Sequence, residues 1–218
     1  MSKLTDWVLD LLFPTRCILC RDLIDPGRPR ICSRCQSSMP TAEGCRRKGD
    51  YFSDCVSALH YRGAVQEAIR RYKFEGAQAY DEAFGELVAE RIYADLFGRF
   101  DILSWVPLAP DRFRDRGYDQ SWLLAANVGK RLEWPVTPLL KKRRGVHAQS
   151  LTGSPAARKA NIAGAYTVLD PKTVEGKRVL LVDDIVTSGS TLSECAKTLL
   201  KAGADEIMCA TLAVAGDS

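Results

Sequence analysis

The sequence predicts an α/β protein, a mostly parallel sheet flanked by helices, with a small N-terminal module built on four cysteines. Three observations predict this. From Ser57 onward, short apolar runs alternate with segments of helical period, the pattern of a parallel sheet covered by helices. Residues 178–192 read Arg-Val-Leu-Leu-Val-Asp-Asp-Ile-Val-Thr-Ser-Gly-Ser-Thr-Leu: an apolar run, two adjacent carboxylates, a small-hydroxyl loop and a helix start. Six of the eight cysteines lie before residue 56. A chain of 218 residues holds one full domain plus a small appendage, and the composition change near Ser57 divides it at 1–55 and 56–218.

Taken in order, Leu4, Trp7, Val8, Leu11 and Leu12 recur at helical spacing, and Pro14 ends that short amphipathic helix. Cys17-x2-Cys20, eleven residues, then Cys32-x2-Cys35 is the spacing of a four-cysteine zinc site. A disulfide reading needs an oxidising compartment, for which the sequence carries no targeting signal. Four thiolates leave no open coordination position, so the zinc is read as structural. Cys45 and Cys55 form no second Cys-x2-Cys pair and are read as free buried thiols; Cys195 and Cys209 read as packing residues.

Ala58–Tyr61 reads as a short strand. Val65, Ala68, Ile69 and Tyr72 mark one helix face, and Phe84, Leu87, Val88 and Ile92 a second. Asp101–Pro107 reads as a strand ending in a proline-bounded loop. Trp122, Ala125, Ala126 and Leu132 suit the next helix, and Val136–Leu140 another short strand. Lys141–Asn161 is polar, basic and aperiodic, so it reads as a long loop with one helical turn near Pro155. Ala163–Val168 is a strand. The apolar run Val179–Val182 has the composition of a buried parallel strand, the helix Ser190–Ala202 follows with Gly203 beyond it, and Glu206–Val214 is the last strand.

No apolar run approaches the ~20 residues of a membrane span, and Asp6 and Asp10 interrupt the opening segment. Secretion and membrane insertion are therefore not expected, and the expected location is cytoplasmic. The net charge of +4 is mild, but Pro110–Ala160 holds eleven Lys or Arg against four Asp or Glu. Such a patch suits phosphate, pyrophosphate or a nucleic-acid backbone, and is also compatible with a solvated loop. The sequence has no G-x-x-x-x-G-K-[ST] loop and no G-x-G-x-x-G after a strand, which argues against P-loop hydrolases and dinucleotide folds.

A serine- or threonine-capped turn between strand and helix is common. Two adjacent carboxylates at a strand end repel each other and gain nothing from packing, so Asp183 and Asp184 need a further cause. A sugar with vicinal hydroxyls or a hydrated magnesium ion supplies one. Thr187, Ser188, Gly189, Ser190 and Thr191 present N–H groups and hydroxyls to one anion, at the positive end of the following helix.

These residues resemble the phosphoribosyl-diphosphate (PRPP) motif of type I phosphoribosyltransferases. The resemblance implies that Asp183 and Asp184 hold the ribose 2′- and 3′-hydroxyls and that Thr187–Thr191 hold the 5′-phosphate. In purine-salvage members the position of Thr187 is an aspartate thought to exchange a proton with the purine, which weakens a purine-salvage reading. A longer series is similar to the ComF family of competence-related, phosphoribosyltransferase-like proteins. It runs from the cysteine knuckle through Tyr61-Arg-Gly, Tyr72-Lys-Phe-Glu-Gly, Val106-Pro-Leu, Arg116-Gly-Tyr-Asp-Gln, Gln149-Ser-Leu, Arg158-Lys-Ala-Asn161 and Gly164-Ala-Tyr to Asp183–Thr191. The chain departs from that family at Asp119, where Asn is common, and at Cys45 and Cys55, where a second Cys-x2-Cys pair often stands.

That resemblance implies a role in DNA uptake and a helicase partner. The expected reaction moves a 5-phosphoribosyl group from PRPP, with magnesium, to an unidentified acceptor. Backbone groups of Pro107, Leu108 and Ala109, with Arg116, are the expected pyrophosphate contacts. Arg158 and Lys159 are expected to close over the site, and Lys73 is a further candidate. For each cation a solvated surface charge is the competing account, and His147 reads as incidental. The alternative function is a non-catalytic PRPP sensor, or a zinc-dependent scaffold binding single-stranded DNA or a protein partner.

Overall fold

The computed structural model describes residues 14–25, 30–74, 78–143 and 162–216. The expected N-terminal helix at Leu4–Leu12, the turn near Pro155, and His147, Arg158 and Lys159 lie outside the described residues.

The elements run α1 (Ser33–Ser37), β1 (Arg46–Arg47), β2 (Asp54–His60), α2 (Gly63–Phe74), α3 (Gln78–Asp95), β3 (Ile102–Trp105), α4 (Pro110–Arg116), α5 (Gln120–Leu132), β4 (Leu140–Lys142), β5 (Tyr166–Val168), α6 (Pro171–Val174), β6 (Arg178–Val186), α7 (Ser190–Lys201) and β7 (Glu206–Val214). The main sheet has the order β1-β2-β7-β6-β3. Strands β2, β7, β6 and β3 are parallel, and β1 adds antiparallel to β2. Strands β4 and β5 form a separate antiparallel pair.

Alternation along β6 divides the core. Leu180 and Val182 join Val56, Leu103, Met208 and Ala210 under α2, α3 and α5. Val179 and Leu181 join Ile207, Cys209 and the Leu192, Cys195, Ala196 and Leu199 face of α7. Both faces are covered, which is why β6 and β7 read as near-continuous apolar runs. Helices α3 and α5 pack so closely that a Cβ at Gly85 would lie 2.3 Å from Asn127 Cβ.

The pairing also positions the loops. Trp105 lies opposite Val182, and the Val106 N–H bonds to the Val182 carbonyl at 3.0 Å. The chain leaving β3 therefore passes beside Asp183 and Asp184 at the carboxyl edge of the sheet, where open α/β folds place ligands.

Several element expectations are corrected. Strand β2 starts at Asp54, four residues before the expected Ala58, because a carboxylate paired to arginines does not read as apolar. Val136 makes only a single bridge to Leu103. The strand expected there is displaced to Leu140–Lys142, where β5 offers a partner. Strand β5 covers only Tyr166–Val168. Residues 110–116, to which the sequence reading assigns no element, form α4, which starts at Pro110 and closes on Gly117 in the left-handed region. Of the face expected for α5, Ala125 is buried, but Trp122 is 45% exposed, and Leu124 and Val128 complete the buried face.

Candidate functional site

The strand β6 continues through the two carboxylates to Val186. Alternation then sends Asp183 and Asp184 to opposite faces of the sheet. Asp184 forms an ion pair with Lys73 of α2 at 2.7 Å. Asp183 is buried, and its Oδ1 accepts from Ser121 Oγ at 2.8 Å and from the Asp184 N–H at 2.9 Å. Burial first, and the neighbouring Asp184 charge second, push Asp183 up to about 7.

Past Val186 the chain turns through Thr187, Ser188 and Gly189. Gly189 has φ 73°, a conformation that favours glycine, and it opens α7 with no side-chain cap. The first-turn N–H groups of this helix thus keep their polar end open toward an anion. Ser188 Oγ and Ser190 Oγ lie 2.9 Å apart. Residues Thr187–Leu192, with Ile162, Asp183, Ile185 and Val186, line a small cavity of about 80 Å³.

Asp119 ties two further segments to this edge. Its Oδ2 accepts the Leu108 N–H at 2.9 Å, and its Oδ1 accepts from Ser121 and Trp122 as the N-cap of α5. Burial pushes Asp119 up, and these N–H donors oppose the shift. The carboxylate therefore fastens the Pro107–Ala109 loop to the helix carrying Ser121. Arg116 is partly buried, donates to Gln120 Oε1 at 2.8 Å, and lies 5.0 Å from the Phe74 ring centre. Burial pulls Arg116 down while the Asp184 charge opposes this.

Lys73, Pro107–Ala109, Arg116, Asp183, Asp184 and Thr187–Thr191 thus stand on the elements leaving one sheet edge, while Arg158 and Lys159 lie outside the described residues. Two neighbours were missed from sequence. Ser121 sits two residues past the cap Asp119, a local signal for a helix start rather than for a carboxylate partner. Lys142 lies 5.2 Å from the Tyr166 ring centre, and burial pulls it down, followed by the charge of Arg112.

The Sγ atoms of Cys17, Cys20, Cys32 and Cys35 all lie within 4.8 Å of one another, and those of Cys20 and Cys32 are 3.7 Å apart. Tetrahedral zinc with bonds of about 2.3 Å places its sulfurs roughly 3.8 Å apart, so this donor set fits. Burial would raise the Cys17 thiol, but N–H donors from Cys32, Cys20 and Leu19 bring it down to about 7. Among the described residues this is the one cluster able to hold a metal. Cys45 and Cys55 are buried, with Cys55 beside Cys209 across the β2–β7 ladder.

A four-thiolate module in front of a parallel sheet, with paired acids and a hydroxyl loop at its carboxyl edge, defines a type I phosphoribosyltransferase-like fold behind a zinc ribbon. Residues 119–218 match the model of the phosphoribosyl transferase domain, and residues 8–64 that of the double zinc ribbon domain. The ribbon match and the thiolate geometry agree on structural zinc. The chain is a relative of the ComF-type competence proteins. It is 29% identical to Competence protein F of Haemophilus influenzae over 89% of this chain and 95% of that protein. It is 28% identical to DNA utilization protein YhgH of Escherichia coli over 93% of this chain and all of that protein. It is 24% identical to Competence protein ComFC of Bacillus subtilis over 86% of this chain and 78% of that protein.

Proposed function

We propose that the protein binds PRPP with magnesium and transfers its 5-phosphoribosyl group to an acceptor, releasing pyrophosphate, in the handling of incoming DNA. The observation that carries this reading is the adjacency of an acid pair and a hydroxyl loop with no side-chain cap, with Lys73, Arg116 and the Pro107–Ala109 backbone on the same edge. The relatives' names, competence and DNA utilization, supply the setting. By composition the domains divide at 55/56, so that the first unit supplies β1 and the start of β2 to the main sheet, and the expected compartment is the cytoplasm; among the described residues no helix is long and apolar enough to cross a membrane.

In this reading Asp183 and Asp184 accept the ribose 2′- and 3′-hydroxyls, and Thr187–Thr191 hold the 5′-phosphate. Departure of pyrophosphate from C1′ leaves positive charge on the ribose ring and negative charge on the leaving group. Catalysis then rests on positioning and charge stabilisation. The Pro107–Ala109 backbone and Arg116 stabilise the pyrophosphate, and Arg158 and Lys159 are proposed as further contacts to it. Lys73 pairs with Asp184 at 2.7 Å and so orients that carboxylate for the ribose. Magnesium, when bound with the donor, neutralises part of the pyrophosphate charge.

Titration calorimetry tests the reading. Wild type is expected to bind magnesium-PRPP, and Asp184→Asn to lose most of that affinity with the fold intact by circular dichroism. No binding heat from folded wild type would sink the proposal.

One observation favours a second reading: the relatives are named for DNA handling and not for a reaction. The domain then senses PRPP, or the module serves as a scaffold for single-stranded DNA or for a competence helicase. Salt-dependent DNA binding that persists in Asp184→Asn favours the scaffold; release of pyrophosphate with any acceptor favours the enzyme.

A further inference from the structure

Between the four-cysteine site and β2, residues 45–53 carry no metal-binding cluster of their own, yet they are firmly held. Arg46 pairs with both carboxylate oxygens of buried Asp54, and Arg99 reaches the same carboxylate at 3.0 Å. These charge-assisted bonds fix one side of β1. The next side chain, Arg47, turns the other way. Its Nη1 donates to the Thr187 carbonyl at 2.6 Å and its Nη2 to the Ala215 carbonyl at 3.1 Å.

Those two carbonyls belong to the residues just past the ends of β6 and β7, where the strand ladder has stopped. The Ala215 N–H itself bonds to the Val186 carbonyl at 2.8 Å. A planar guanidinium supplies two donors in a fixed fork, which a lysine does not. Phe52, buried in the same segment, lies against Gly189, where an added Cβ would meet its ring at 3.6 Å. Arg47, Phe52, Ser188, Gly189 and Ser190 line one cleft of about 370 Å³ on this side of the loop.

We propose that Arg47 is a positioning residue for the phosphate loop, a latch by which the N-terminal module sets the loop's geometry; this rests on the phosphate-binding role proposed above. The peptide plane gives the reason. In a trans peptide the C=O of Thr187 and the N–H of Ser188 point in opposite directions. Holding that carbonyl toward Arg47 turns the Ser188 N–H away from β1, toward the anion. The guanidinium charge behind the peptide strengthens this donor.

The test compares wild type, Arg47→Ala, Arg47→Lys and Lys48→Ala, the last removing a neighbouring charge while leaving both latch bonds. Amide hydrogen exchange is read on residues 187–192, and calorimetry on ribose 5-phosphate, magnesium-PRPP and magnesium pyrophosphate. Arg47→Ala is expected to speed exchange in the loop and to weaken both 5′-phosphate ligands on the order of tenfold, the effect of one charged hydrogen bond. Pyrophosphate affinity and zinc content stay at wild-type values, Arg47→Lys is intermediate, and Lys48→Ala matches wild type. Wild-type exchange in Arg47→Ala overturns the latch. So does an equal loss of all three ligands with a lowered melting temperature, which marks a purely structural residue; Arg47→Lys decides the matter if the alanine variant does not fold. A wild type that binds none of these ligands overturns the functional reading, while loop exchange still decides the latch.

Discussion

Asp183 and Asp184 share a peptide bond but not an environment. Asp184 meets Lys73 at 2.7 Å, whereas Asp183 is enclosed with Ser121 as its side-chain donor. Asp183 is the carboxylate whose titration reaches the neutral range, at about 7, by burial and then by the Asp184 charge. An unfolded aspartate titrates near 3.9, so the folded state holds this proton more tightly. Its contribution to stability is fully present below about pH 4 and is lost as pH rises toward 7. Asp119 is shifted the same way by burial, while Asp101, held down to about 2 by Arg178, acts only below this window. Denaturant titrations of wild type from pH 4 to 7.5 are therefore expected to show stability falling with pH, and Asp183→Asn to flatten part of that slope. An unchanged slope in the variant overturns the assignment.

At the scale of elements, what was legible in the sequence was what a local pattern can carry. The α2 stripe Val65, Ala68, Ile69 and Tyr72 is buried as its spacing requires, and so is the α7 face around Leu192 and Leu199. Strand β6 was legible through Val182, but its last four residues were not, because a ladder partner in β7 carries Asp183 through Val186. Helix α4 buries no side chain and so has no apolar stripe to read. Each acid and base of the site was visible singly; the Lys73–Asp184 pair and the Arg47 bonds join residues more than a hundred positions apart and leave no local trace. Gly85 is similar, since its need for glycine comes from Asn127 on the facing helix. Gly85→Ala is expected to cost about 1–3 kcal/mol by overpacking the α3–α5 contact. Chemical denaturation measures this, and a stability equal to wild type would show that the two helices part freely.

At the scale of the whole molecule, the N-terminal module is part of the main core. Cys17, Ile18, Leu19 and Cys35 are buried in one cluster with Val65, Ala68 and Ile69 of α2. Arg71 of α2 donates to the Ile18 and Leu19 carbonyls at 2.8 and 3.1 Å and to the Tyr80 hydroxyl at 3.1 Å. The same helix carries Lys73, the partner of Asp184. The module has few apolar residues of its own, so the four thiolates and their zinc must hold Ile18 and Leu19 against α2. Removing the metal then uncovers part of the core under α2 and leaves the Arg71 donors without their carbonyls, so the loss reaches beyond the knuckle. One zinc per chain is expected by elemental analysis, matching the one thiolate cluster among the described residues. Cys17→Ser and Cys32→Ser are expected to lose it. Chelated wild type should melt at a lower temperature by calorimetry, with faster amide exchange in α2 as well as in the knuckle. A metal-free protein that melts with wild type, or exchange confined to residues before β1, would refute this coupling of zinc to the helix that holds Lys73.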